Sequence, residues 1–513
     1  STVSLTITGA AANTTGGLTK SGAGRLVLSG NNTYTGNTTI SAGTLEIAST
    51  GQLGGGSYAG NIVNNGTFIY AGNNNQTISG IISGSGALTK NASSTLTLSG
   101  NNTYTGNTTI SAGSLNIQHA NALGGTGNGT TVASGAALQL QGGITVSGEA
   151  LTIAGSGTNG STNPGALRSI SGTNTYGGAI TLSASSRIAA VAGTLNLTGG
   201  ITGTNVNLEL TGSGDINFTN NAINLGTGTF IAYSQSATSN AIIGVAGNTV
   251  GQVTVYWGGR VRTDVANAFS PTAALVMGSS DNSTGRLDLN GNNQTFASLA
   301  TTGTGSQVIT SASAATLTVN GSSSTTFGGV GGAITGALSL AKSGSSTLTL
   351  TGNNTYTGST SVAGGTLLLS DNGTLGTSTI SISGGTLDMG GKSLTNTFGS
   401  LTGGTLSNGT LTNNGGNYDL QSGTVSAVLA GTNGVNKTTS GTVTLSNANT
   451  YNGTTTVAGG TLLLSSNGTL GTSTISISGG TLDMGGKSLT NTFGSLTGGT
   501  LANGTLTNNG SNY

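Results

Sequence analysis

One short stretch gathers most of the side chains in this 513-residue chain that could recognise a ligand. Val253-Thr-Val-Tyr-Trp-Gly-Gly-Arg-Val-Arg-Thr-Asp264 holds the single tryptophan, two of the twelve basic residues and an acid within eight positions. An indole at Trp257 beside Arg260 and Arg262 can stack on a sugar ring while the guanidinium groups reach its hydroxyls. Strand alternation offers a plainer reading, in which Tyr256 or Trp257 enters the core and the arginines point outward. Tyr256, Trp257, Arg260 and Arg262 are therefore the candidate contacts to a glycan or protein partner.

Other chemistries find little to work with. Enzymes that cleave polysaccharides need an acid–base pair of clustered carboxylates, and only eleven acids are spread along the chain. Asp281 and Asp288, with Arg286 between them, form the tightest group and read as solvent-facing strand residues. The lone His119, with no cysteine anywhere, cannot build an ordinary transition-metal site, and thiol chemistry is excluded. Gly212-Ser-Gly-Asp-Ile is a single echo of a calcium-binding glycine–aspartate repeat, without a second copy. We expect no enzyme activity, no metal and no cofactor. A net charge of +1 gives no electrostatic footprint for nucleic acid or an anionic membrane. No run of eighteen apolar residues could cross a membrane as a helix, and the polar start at Ser1 is unlike a secretory leader.

The elements that must carry these residues are repeats. Residues 342–418 return almost letter for letter 95 positions later, as with GTSTISISGGTLDMGGKSLTNTFGSLTGGTL at Gly376 and Gly471. Inside that copy, a small residue followed by alternating apolar positions begins at Thr347, Thr366, Thr386, Thr405, Thr424, Thr442, Thr461, Thr481 and Thr500. The unit is one coil of about nineteen residues, and the expected inward stack is Leu348, Leu367, Leu387, Leu406, Val425, Val443, Leu462, Leu482 and Leu501. A second column four residues earlier holds Val362, Ile382, Leu401, Leu420, Val457, Ile477 and Leu496, broken by Ser343 and Thr438. Asp388 and Asp483 point outward by alternation, and five coils at about 4.8 Å each separate them by about 24 Å, too far for a catalytic pair.

Composition fits such a stack. The chain has 95 glycines, two prolines, 4% charged and 33% hydrophobic residues. A disordered linker would lack the aliphatic register. Ordering nineteen residues costs roughly 20–35 kcal/mol of backbone entropy, and burying five or six aliphatic side chains returns roughly 10–15 kcal/mol, so one coil alone cannot fold. Stacked coils cover one another's apolar faces and pair their backbones.

Residues 1–122 follow the regular unit, residues 123–336 loosen it, and residues 337–513 restore it as the 95-residue tandem copy. Longer coils occur, with Thr67-Phe-Ile-Tyr70 lying 23 residues after Thr44. No amphipathic helix pattern appears, so helix content should be near zero. The tyrosines of NNTYTG (Tyr34, Tyr104, Tyr356, Tyr451) recur several coils apart, too far for one row, and are expected to cover corners while the Asn-Asn turn satisfies backbone groups. Asn-x-Thr/Ser triplets such as those at Asn31, Asn37, Asn65, Asn101 and Asn107 mark exposed loops. Tyr513 matches Tyr418, so the sequence stops within a repeat, as a fragment would or as an open end that pairs with a second copy would.

Three stretches, GGLTKSGAGRLVLSGNNTYTGNTTISAGTLEIA from Gly16, SGALTKNASSTLTLSGNNTYTGNTTISAGSLNI from Ser85 and LAKSGSSTLTLTGNNTYTGSTSVAGGTLLL from Leu340, resemble the autotransporter-associated β-strand repeat, or passenger-associated transport repeat. A fourth, weaker copy spans Val435–Leu464. Together they cover about a quarter of the chain. The resemblance implies a secreted passenger of a Gram-negative surface protein, exported through an outer-membrane β-barrel, although no barrel sequence is present. Family members are mostly adhesins, surface fibres and toxins. The expectation is thus an all-β, right-handed parallel β-helix with coils of about 19–23 residues, acting as a non-enzymatic structural or adhesive element at the cell surface. Its partners would be glycans or proteins of a host or neighbouring cell, with end-to-end self-association into a filament and a toxin or glycan-binding passenger as the other readings.

Overall fold

The computed structural model describes residues 3–11, 15–161, 163–233, 238–329 and 331–510. It is a parallel β-solenoid of about 24 turns with coils of about 21 residues. Among the described residues, the single helical element is the 3₁₀ turn Gly54–Gly56. The chain forms two compact units, Ser1–Ala268 and Phe269–Tyr513. The loosened middle keeps its ladder. Leu115 pairs Leu138, which pairs Leu167, and the series runs on through Ile188, Leu210, Ala232 and Val255. Coil length varies there because extra residues leave through loops while the paired positions stay in register.

Alternation builds the core. The strands Thr347–Leu350, Thr366–Leu369 and Thr461–Leu464 each bury their second and fourth residues and turn the first and third outward. Each buried leucine removed from water contributes about 1.5–3 kcal/mol. Gly365 and Gly460 make the corners that precede two of these strands, both at φ +57°, a conformation that favours glycine. A Cβ at Gly365 would meet the Ser346 carbonyl oxygen at 2.2 Å, so the neighbouring coil also excludes a side chain.

The inward column of the second unit runs Leu348–Leu367–Leu387–Leu406–Val425 by direct pairing. Val425 is then opposite Leu445, and Val443 faces Gly423, so the ladder slips by two residues. The column resumes as Val443–Leu462–Leu482–Leu501. A two-residue slip keeps every side chain on its own face, so Val443 and Leu445 are both fully buried. Leu501, in Thr500–Asn508, is half-buried.

The second column differs from its sequence reading at its lysines and at Leu496, which is exposed. Val362 pairs Lys342 and Val457 pairs Lys437, so lysines, not Ser343 and Thr438, stand in the aliphatic stack. The first unit repeats this with Lys20 opposite Ile40 and Lys90 opposite Ile110. The corners after these lysines contain one residue more than Val362-Ala-Gly-Gly-Thr366, which moves the column back by one.

Candidate contact surface at the Trp257 corner

The strand Gln252–Tyr256 buries Val253 and Val255 and turns Tyr256 outward. One coil earlier, Thr229–Tyr233 does the same with Phe230, Ala232 and Tyr233. The parallel register sets Tyr233 directly opposite Tyr256, and their rings stack with centroids 5.7 Å apart and planes 15° apart. Trp257 begins the corner at φ +47°, left-handed backbone that a bulky side chain seldom adopts, followed by Gly258 at +76°. This backbone leaves the indole 55% exposed, with edge contacts to Tyr256 at 5.5 Å and Tyr233 at 6.3 Å.

Charged groups flank the aromatics. The Arg187 guanidinium lies 5.2 Å from the Tyr233 ring centroid. It is held there by Glu209, its ladder partner, through bonds of 2.9 Å and 2.7 Å. Burial pushes the Tyr233 hydroxyl up to about 12, keeping it neutral. Past the corner, Gly259–Thr263 carries both arginines outward. Arg260 lines a small hollow with Tyr233, Ser239 and Asn240. Arg262 donates two 2.7 Å bonds to the Asp264 carboxylate. The structure thus brings Tyr256 and Trp257 together outside the core, places Arg260 beside Tyr233, and turns Arg262 toward Asp264. Tyr233 and Arg187 were missed in the sequence. The available signal was that Thr-Phe-Ile-Ala-Tyr233 and Gln-Val-Thr-Val-Tyr256 end matching strands one coil apart.

The other candidates serve the backbone. Asp388 accepts from the Gly390 amide and the Asn408 side chain, and Asp483 does the same with Gly485 and Asn503. Asp288 pairs with Arg286 at 3.2 Å and accepts from the Asn290 amide, while Asp281 accepts from the Ser279 hydroxyl. The His119 Nδ1 accepts from the Asn121 amide at 3.1 Å. Among the described residues, no three His, Cys, Asp or Glu side chains converge as a metal site would require. Glu149 is a buried acid that sequence reasoning passed over. One of its oxygens accepts from Thr130 at 2.8 Å, and burial raises its pKa above the ordinary value.

The repeated motif has its own geometry. Tyr34, Tyr104, Tyr356 and Tyr451 lie inside the coil, not over its corners. Each hydroxyl meets a threonine four residues on, at Thr38, Thr108, Thr360 and Thr455, over 2.6–2.9 Å. Burial raises all four pKa values. The second asparagine of the motif reaches both neighbouring coils. Asn354 accepts from the Ile334 amide at 2.8 Å and donates to the Thr374 carbonyl at 2.8 Å, and Asn449 repeats this with Leu429 and Thr469. The column lysines donate to corner carbonyls, as Lys90 does to Ala92 and Ala112 and Lys437 to Thr439 and Gly459. Burial lowers the pKa of Lys90 to about 8 and also lowers those of Lys342 and Lys437.

These three devices fall within residues 18–47, 88–117, 340–369 and 435–464, the four stretches that match the passenger-associated transport repeat family. A 109-residue stretch, 21% of the chain, is 47% identical to an adhesin autotransporter, BmaC, of Brucella suis biovar 1 (strain 1330). The match spans 3% of that relative's length. No solved structure matches the chain. The chain is therefore a parallel β-solenoid with four stretches that match the passenger-associated transport repeat.

Proposed function

We propose that the chain is a non-enzymatic adhesive passenger displayed on the outside of a Gram-negative cell and exported through an outer-membrane β-barrel. The observation that carries this reading is the four repeats together with the likeness to an adhesin autotransporter. The fold supports it. Parallel ladders and aliphatic columns give each unit a cohesive interior that needs no disulfide, in a chain without cysteine. The carboxylates support a structural role, since Asp388, Asp483 and Asp288 are occupied with corner amides and neighbouring side chains.

Beads coated with the purified chain should attach to epithelial cells and to bacteria in excess of beads coated with an uncharged control protein. Attachment no greater than the control would sink the adhesive reading. Release of reducing sugar from surface polysaccharides would contradict the non-enzymatic one.

A further inference from the structure

We infer that Trp257, Tyr256 and Tyr233 form a binding platform for an uncharged saccharide. The inference rests on the adhesive reading and names the ligand class of its contact surface.

Three observations carry it. The chain has only 4% aromatic residues, yet three of them meet at one corner, and Trp257 is the exposed member. Among the described residues six other large apolar side chains are exposed, and all six are aliphatic (Val3, Leu5, Ile7, Val63, Ile81 and Leu496). The indole is presented by a backbone conformation costly to a bulky residue, which glycine would adopt freely, and such local strain collects at ligand-contacting positions. Behind it the stacked Tyr233–Tyr256 pair fixes the ring positions, and Arg187 beneath Tyr233 holds that pair from the other side. A rigid aromatic face in water is suited to the C–H face of a pyranose ring.

The charges select among saccharides. Arg187 is neutralised by Glu209 and Arg262 by Asp264, each through paired bonds. Ion pairs of this kind offer both donors and acceptors, which match hydroxyl groups. They do not supply the uncompensated positive field that a sulfated or uronic-acid polymer requires.

Trp257 is the single tryptophan, so its fluorescence reports on the platform alone. The full chain should be titrated with gluco-, galacto- and manno-oligosaccharides, a sulfated oligosaccharide, and extracellular-matrix proteins, with cell attachment measured on the same preparation. We expect a saturable emission change with at least one neutral oligosaccharide, weakened on the order of five- to tenfold by Tyr256→Ala. Trp257→Gly should abolish capture of that oligosaccharide on a solid support while melting no lower than the parent chain. Undiminished capture by Trp257→Gly, a response to the sulfated sugar alone, or a response to a protein alone would each overturn the inference. So would silence toward every saccharide. If cells still bind in that case, the adhesive reading survives without this platform, and if they do not, both fall.

Discussion

Lys90 stands directly opposite Ile110 in the parallel ladder and has Tyr70 on its other side, with its whole side chain shielded from water. Its ammonium group donates to the carbonyls of Ala92 and Ala112, so one cation ties its own corner to that of the next coil. No carboxylate accepts from it among the described residues; carbonyl dipoles and the face of the Tyr70 ring, its centroid 5.8 Å away, hold the charge.

That arrangement makes stability depend on pH in a defined direction. Burial lowers the Lys90 pKa from 10.5 to about 8. Between those values the unfolded chain binds more protons than the folded one, so stability rises with pH through that window. The motif tyrosines act oppositely above pH 10, where the unfolded phenols ionise before the buried ones. The melting temperature should therefore climb from pH 8 to 10 and fall beyond it. Lys90→Met should flatten the climb and cost about 1–3 kcal/mol at neutral pH by orphaning two carbonyls. Calorimetry across pH on both proteins checks this, and an identical climb in Lys90→Met would refute it.

Asn354 joins three consecutive coils through Ile334 and Thr374. Asn354→Ala should destabilise by about 1–3 kcal/mol, because it leaves a buried amide and a carbonyl unmet. Hydrogen exchange should quicken on both sides, at Ile334 and around Thr374. Loss of protection on one side only would show that the side chain caps one coil and does not bridge two.

Glu149 gives a stabilising prediction. Its folded pKa is raised by burial, so the folded state holds its proton more tightly and loses stability as pH rises above the ordinary carboxyl range. Glu149→Gln removes that liability and keeps an acceptor for the Thr130 hydroxyl. The variant should melt higher than the parent at pH 7 and no higher at pH 4. Equal melting at both would mean that the carboxylate ionises without cost.

At the contact surface, stability and recognition should separate. Trp257 adopts φ +47°, where glycine is unstrained, so Trp257→Gly should be neutral or stabilising by up to about 1 kcal/mol. Trp257→Val, which brings a β-branched side chain to the same backbone, should be the less stable of the two. Urea unfolding orders the pair, and the reverse order would show that indole packing outweighs backbone strain.

The coil was legible because strand geometry sets the two-residue alternation and the stacked ladder requires the same apolar positions to return once per coil, which composition cannot disguise. Leu348, Leu367 and Leu387 could be placed by counting, and they pair as counted. Counting failed where length and polarity changed together. The corner after Lys342 is one residue longer, and a pattern reader seeking apolar residues does not look for an ammonium group in the core. The motif tyrosines were read as corner covers because they recur too far apart for one row, and spacing does not show that the hydroxyl partner, Thr360 for Tyr356, sits inside. Tyr256 and Trp257 stood out as rare residues. Tyr233 did not, since only the register with the next coil reveals what it stacks against.

The cross-coil reach of Asn354 and Asn449 bears on what happens under tension, as when flow pulls on an attached cell. A coil at the end of a parallel stack peels with few bonds broken at a time, and each nineteen-residue coil so released would lengthen the chain by about 65 Å. Where a side chain holds the coils above and below at once, peeling cannot advance by one step without loosening two. The four repeats would then act as ratchet stops, giving a force trace with small even steps interrupted by four stronger events.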